Sequence, residues 1–147
     1  DEINLLSMSA RLFTFSFITR YALYNFHKER DMLKTIISLI PDTVFVKDSE
    51  CRFLFVNEAC CDLLGHKESE IIGKTDYDFM IKERADYYYN EEKDVIDNKK
   101  AIVSKIEEGI LRNGKYYRSV YSKIPIISDN KVIGIVGILR MLETKNE

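Results

Sequence analysis

The spacing of hydrophobic positions changes along the chain and divides it into three parts. Over residues 3–39, apolar side chains recur every three or four residues, which is the spacing of an α-helix. From residue 40 onward, short β-branched and aromatic runs are separated by polar turns. The pattern predicts a helical dimerisation segment over 1–39, an α+β domain over 40–142, and a polar tail over 143–147.

Two strands and a short helix are predicted at the start of the domain. Residues 44–46 and 53–56 are β-branched and aromatic, and the polar residues 47–50 between them suit a hairpin turn. Asn57 follows directly, where its side-chain oxygen can accept a hydrogen bond from the first turn of a helix. Gly65 supplies the left-handed residue that ends this helix.

A longer amphipathic helix is predicted over residues 82–99. Its apolar or aromatic stripe consists of Ala85, Tyr88, Tyr89, Val95 and Ile96. Glu92 lies inside that stripe, and a buried carboxylate is costly unless it is paired. In one reading, Glu92 pairs with a cation or hydroxyl of the protein, with Arg118, Lys123 and the tyrosines as candidates, or lies at the solvent-exposed edge of the stripe. In the other reading, its partner is a donor on a ligand.

Three further strands complete the pattern. Residues 101–111 and 115–126 flank Asn113-Gly114, and Asn-Gly is typical of the type I′ turn of a β-hairpin. Residues 132–139 are apolar on both faces, which predicts a central strand. We therefore expect a five-stranded antiparallel sheet flanked by short helices and one long helix, with the amphipathic N-terminal helix before it.

The N-terminal segment carries a heptad pattern. Apolar residues at a and d are Leu5, Met8, Leu12, Phe15, Ala22, Phe26, Leu33, Ile36 and Ile40, and Thr19 and Glu29 are exceptions. This a/d face predicts a homodimer. Several large apolar residues lie off the a/d face, so the helix needs a second surface as well. Residues 12–18 also alternate as a strand would, but the helical spacing continues for much longer.

Composition and charge argue against several function classes. Arg11 and Arg20 bracket only a short apolar run, which predicts no membrane span within this sequence. A formal net charge of −2 without a basic cluster argues against nucleic-acid binding. Cys51, Cys60 and Cys61 lack zinc or disulfide spacing, so we expect reduced thiols in the cytoplasm and no metal site.

No catalytic constellation is recognisable in the sequence, so we expect no enzyme activity in this chain. Asp76 and Asp78 precede a helical turn, and their spacing favours helix caps over a metal pair. The chain begins at Asp1 and ends in a polar run, which predicts an excised piece of a longer protein.

The motifs taken together resemble the PAS sensor-domain family over about residues 33–140. The segments that carry the resemblance are Ile40-Pro41-Asp42 with Val44-Phe45-Val46-Lys47-Asp48, Phe55-Val56-Asn57, Leu63-Leu64-Gly65, Glu70-Ile71-Ile72-Gly73-Lys74-Thr75-Asp76, Asn113-Gly114, Ser122-Lys123-Ile124-Pro125 and Gly134-Ile135-Val136-Gly137. Members of the bacterial type usually precede histidine kinase or cyclase domains. The resemblance implies a sensor module of a two-component or similar signalling protein, cytoplasmic or in the cytoplasmic part of a membrane-anchored protein.

The resemblance also bears on cofactors. Haem-binding relatives often ligate iron through a histidine of the long helix, and residues 82–99 contain none. The flavin signature of light sensors is only partly imitated, by residues 51–54, which lie in a strand rather than a helix. The cofactor is therefore unknown, with haem and covalent flavin disfavoured. A small-molecule pocket is implied, with polar candidates Tyr88, Glu92, Arg118 and Ser122.

Overall fold

The structure, a computed structural model, describes the backbone of residues 2–110 and 116–145 and the side chains of 12–109 and 116–142. It divides into two units, Asp1–Leu39 and Ile40–Glu147.

The first unit is the helix α1, Glu2–Ser38. The helical spacing is therefore confirmed over the alternative of a strand at residues 12–18. Large apolar side chains are exposed all around it: the exposed fraction is 71% for Phe15 and 63% for Phe26 on the a/d face, and 76% for Phe13 off it. A helix that is hydrophobic on every side is normally buried in a core or against a partner.

The second unit is an α+β domain, and its order of elements confirms the predicted fold. The elements are β1 (Thr43–Asp48), β2 (Phe53–Val56), α2 (Glu58–Leu64), α3 (Glu68–Ile71), a 3₁₀ turn (Asp76–Asp78), α4 (Lys82–Asn98), β3 (Ile102–Ile110), β4 (Tyr116–Ser128) and β5 (Lys131–Lys145). The strands form one sheet in the order β2-β1-β5-β4-β3, and each neighbouring pair is antiparallel.

Strand β5 is central in the sheet, as its apolar run predicts. It pairs with β1 on one side and with β4 on the other. Gly137 of β5 lies opposite Phe45 of β1, and a Cβ at Gly137 would collide with the Phe45 ring. The absence of a side chain therefore lets the aromatic ring lie directly over the neighbouring strand.

The β3–β4 hairpin forms, with Ile110 opposite Tyr116. The Asn113-Gly114 turn predicted between the two strands lies outside the described residues.

The start of α2 is held by the predicted cap. Asn57 Oδ1 accepts hydrogen bonds from the backbone N–H groups of Cys60 and Val44, each at 3.0 Å. Asn57 Nδ2 donates to the carbonyl of Asp42 at 2.8 Å. At the other end, Gly65 has φ 73°, the left-handed conformation that glycine adopts without strain. One amide thus joins the helix to the first strand.

Candidate functional site

A small cavity lies between the inner face of the sheet and the helices that cover it. It encloses about 80 Å³. Its apolar wall includes Phe45, Phe53, Leu63, Leu64 and Met80. Strand residues two apart share a face, so Phe45 and Lys47 of β1 both point to this side. The cavity therefore has a hydrocarbon wall with a lysine beside it.

Lys47 is the most deeply buried cation of the described residues, with 1% of its surface exposed. Its Nζ donates to Asp76 Oδ2 at 2.6 Å and to both carboxylate oxygens of Glu92, at 2.8 and 2.9 Å. It also lies 4.5 Å from the centroid of the Phe53 ring. One ammonium group thus ties β1 to the 3₁₀ turn and to α4.

Burial and the neighbouring carboxylates have opposite effects on the pKa of Lys47. Burial by itself would lower this pKa, because a low-dielectric environment disfavours the charged form. The carboxylates of Asp76 and Glu92 more than offset burial and raise the pKa above its usual 10.5. Lys47 therefore stays protonated at neutral pH.

Lys123 approaches the same carboxylates from β4. Its Nζ lies 3.0 Å from Glu91 Oε2 and 3.3 Å from Glu92 Oε1. Neither contact has the alignment of a hydrogen bond. These contacts are therefore ion pairs between buried groups, and Lys123 itself is only 4% exposed.

Glu91 is held by further donors at the edge of the same group. Lys105 Nζ donates to Glu91 Oε1 at 2.6 Å, and the Tyr121 hydroxyl donates to the same oxygen at 2.8 Å. Burial by itself would raise the pKa of Glu91, but Lys105, Lys123 and Tyr121 lower it below its usual 4.5. Glu91 therefore carries its negative charge at neutral pH.

These residues form one balanced group, the charge cluster, which consists of Lys47, Lys123, Asp76, Glu91 and Glu92 in the interior and of Lys105 at its edge, whose side chain is 44% exposed. Three ammonium groups face three carboxylates. Because the charged ends face one another, the atoms that face the empty space of the cavity are mostly carbon.

A second polar group lies beside the cluster. The Tyr88 hydroxyl donates to Glu107 at 2.8 Å, and Arg84 donates to the Tyr88 hydroxyl at 2.7 Å and to Glu107 at 2.9 Å. Burial raises the pKa of Tyr88 above its usual 10. The phenol is therefore neutral and bound to the protein, although Tyr88 and Glu107 both line the cavity.

Three of the four residues predicted to bind a ligand come together. Tyr88, Glu92 and Ser122 line the cavity, and the hydroxyl of Ser122 accepts a hydrogen bond from the backbone N–H of Ser104 at 3.0 Å. Glu92 pairs with protein cations, which was one of the two readings left open. Lys123, one of its candidate partners, is among them.

Arg118 is not among the residues around the cavity. Alternate residues of β4 are buried, and Arg118 falls between the buried positions Tyr117 and Ser119. Its Nε lies 3.2 Å from Glu108 Oε1, across the β3–β4 pair. The prediction chose Arg118 because of its residue type. Side chains alternate between the two faces of a strand, and this alternation turns Arg118 to the face of the sheet away from the cavity.

Lys47 and Asp76 were missed as members of the site. Lys47 was assigned to the hairpin turn, but β1 continues through Asp48. Asp76 was expected to cap a helical turn, and that expectation is wrong for its side chain, which binds Lys47. Thr75 is the N-cap of that turn, and Asp78 completes a capping box with it, since Asp78 Oδ2 accepts from the Thr75 N–H at 2.9 Å. The period-two spacing of Phe45 and Lys47 was the signal available.

Two thiols lie near the cluster. Cys51 and Cys60 are each 2% exposed, and burial raises the pKa of each to about 12. Both are therefore protonated and poorly nucleophilic at neutral pH. Cys51 has φ 61° in the β1–β2 turn, an uncommon conformation for a residue other than glycine.

Among the described residues, no helix combines the length and apolar character needed to cross a bilayer.

Comparison with protein-family models matches residues 31–141 to the PAS fold. Among curated proteins, an uncharacterized protein of Sinorhizobium fredii is 44% identical over 55 residues, which are 37% of this chain and 7% of that protein. The chain therefore spans a small part of this relative.

Similar solved structures give the same fold. VqmA of Vibrio cholerae matches with TM-score 0.65 and 20% identity, over 74% of this chain and 49% of that chain. The PAS domain of Bordetella pertussis BvgS matches with TM-score 0.64 and 19% identity, over 79% and 88%. A PAS domain from Colwellia psychrerythraea matches with TM-score 0.60 and 17% identity, over 80% and 97%. At these identities the likeness concerns the fold alone.

Proposed function

Because the chain belongs to the PAS fold family, whose domains sense signals, we propose that it is the ligand-binding sensor module of a signalling protein. The observation that carries this proposal is the cavity against the inner face of the sheet, with ion pairs around it that connect β1, β4 and α4. A ligand in this space would contact side chains from both the sheet and the helices. Tyr88, Glu92 and Ser122 belong to its wall, and Arg118 is left out.

The connection between strands and helices supports a relay. Glu92 of α4 pairs with Lys47 of β1 and Lys123 of β4. Buried ion pairs lose much of their stabilisation when a partner is displaced, so the cluster favours discrete arrangements over gradual deformation. Occupancy of the cavity would then bias one arrangement of α4 against the sheet.

The output is proposed to pass through a homodimer formed by α1. Its exposed apolar residues are too many for an isolated helix in water, and the a/d face supplies a self-complementary surface for a second copy. The parent protein is proposed to be a sensor histidine kinase or a cyclase, with this module in the cytoplasm. Enzyme activity is assigned to the parent rather than to this module.

A ligand-free homodimerisation and relay module is the second candidate. The size of the cavity favours it, because about 80 Å³ is small beside the roughly 300–1,000 Å³ of pockets for drug-sized ligands. VqmA has been solved bound to DPO, as a dimer in the absence of target DNA, and in a complex with ligand and DNA. The absence of nucleic-acid binding in the present chain stays a prediction from its charge.

Native mass spectrometry of the freshly purified 147-residue chain tests these proposals together. A dimer that carries a discrete extra mass is expected for the ligand sensor. A dimer of bare chains, with nothing recovered by solvent extraction of the same sample, would favour the ligand-free relay. A monomer at micromolar concentration would contradict the role of α1.

A further inference from the structure

The polar groups around the cavity are already used by the protein. Lys47 donates to Asp76 and to Glu92, and Lys123 pairs with Glu92 and Glu91. The ammonium nitrogen of Lys123 is almost fully enclosed, so it offers no surface to a ligand. What remains open to the cavity is mostly carbon.

The charge balance limits what can enter. Lys47 and Lys123 face Asp76 and Glu92 at the cavity, and Lys105 and Glu91 complete the pairing behind them. An ion that entered would lose its water and would find no unpaired opposite charge. A buried charge without a partner is strongly unfavourable.

From these two observations we infer that the cavity binds small, uncharged, mostly hydrocarbon molecules and excludes anions and cations of the same shape. This inference rests on the proposed sensor function and adds the chemical class of the ligand. The carboxylates and lysines of the charge cluster act as a closed wall, and the apolar side chains of Phe45, Phe53, Leu64 and Met80 contact the ligand.

The volume sets the size of the ligand. An apolar protein cavity of roughly 150 Å³ accommodates benzene, which has six non-hydrogen atoms, so about 80 Å³ suits molecules of about three or four non-hydrogen atoms. Three probes of one planar, branched shape meet this limit. They are acetone, which is uncharged; acetate, which is an anion at neutral pH; and acetamidine, which is a cation at neutral pH.

Each probe is titrated into methyl-labelled protein and followed by NMR. The methyl signals of Leu64 and Met80 report on the cavity, and those of the exposed Ile127 and Ile133 serve as controls. We expect the ketone to shift the cavity signals with a dissociation constant at least about tenfold lower than that of either ion.

The outcomes separate this inference from the proposed function. If acetate or the amidinium ion binds in the cavity as tightly as the ketone, the inferred ligand class is wrong and the sensor proposal stands. If none of the three shifts the cavity signals at tens of millimolar, both the ligand class and ligand sensing fail. These comparisons use the unmodified protein and do not depend on any variant folding.

The variant Glu92→Gln tests the electrostatic reason. It removes one negative charge from the cluster and leaves an excess of ammonium groups. In a variant whose NMR spectrum shows a folded domain, acetate should bind about tenfold more tightly than in the unmodified protein, while the affinity for the ketone changes little. Unchanged exclusion of acetate would overturn the role of charge balance.

Discussion

The sheet domain buries its charges, whereas helix α1 exposes its hydrocarbon side chains. In the domain, Lys47 and Glu92 are each 1% exposed and satisfy one another. In α1, Phe13 and Phe15 are 76% and 71% exposed.

The difference indicates which unit is self-sufficient. A buried ion pair is stable only when the surrounding residues keep both partners in position. The residues of the domain are therefore sufficient to define its interior. A helix with exposed aromatic residues on every side is stable in water only when another surface covers it. We therefore expect substitutions in the domain to act on unfolding, and substitutions in α1 to act on association.

The largest effect is expected for Lys47→Met. This change keeps most of the side-chain volume but leaves Asp76 and Glu92 with a buried excess of negative charge. The free energy of unfolding should fall by about 3–5 kcal/mol, measured by urea denaturation. Lys105→Met is the control, because its side chain is 44% exposed and should change stability by less than about 1 kcal/mol. Equal losses in the two variants would contradict a special role for burial.

The next effect concerns association. The double variant Phe15→Glu, Ala22→Glu places carboxylates on the a/d face and should convert the dimer to monomers in sedimentation experiments. The matched control is Phe17→Glu, Tyr24→Glu, which places the same charges off that face and should retain the dimer. If the first variant remains a dimer, the interface lies elsewhere, for instance on the exposed face of the sheet.

A smaller, pH-dependent effect is expected for Glu91→Gln. At pH 7 the loss of charged hydrogen bonds should lower the free energy of unfolding by about 2 kcal/mol. The pKa of Glu91 is lower in the folded than in the unfolded state, so its contribution is present above the unfolded value near 4.5 and is lost as the pH falls through the folded value. The difference between the two proteins should therefore shrink at acidic pH.

Denaturation at several pH values provides the check. Glu108→Gln is the control, because the Glu108 side chain is 53% exposed beside Arg118. Its free energy of unfolding should stay close to that of the unmodified protein at every pH. If the difference in the free energy of unfolding between Glu91→Gln and the unmodified protein stays constant down to acidic pH, the ionisation of Glu91 does not contribute to stability.

Local patterns were sufficient to predict the fold. Period-two runs, the Asn57 cap, the Gly65 helix end and the doubly apolar run of β5 all act over a few residues, and the structure contains each of them. Most helix and strand ends shifted by only one or two residues, which is the usual uncertainty of such boundaries, but β5 continues six residues past its predicted end at 139 and reaches Lys145.

The site was less predictable because its contacts join residues far apart in sequence. Glu92 was identifiable because a carboxylate within an apolar stripe conflicts with its surroundings. Lys47 and Asp76 gave no such conflict, since a lysine before a turn and an aspartate before a helix are ordinary local signals. Only the tertiary structure brings Lys47 to 2.6 Å from Asp76, which lies 29 residues away.

The contact between Gly137 and Phe45 has a consequence for how such sequences diverge. Because a Cβ at position 137 would occupy the space of the Phe45 ring, position 137 cannot gain a side chain while Phe45 keeps its ring. A relative with alanine or valine in place of Gly137 should carry a smaller residue in place of Phe45. The pair would then vary together across an alignment, and the volume available to a bound molecule would vary with it.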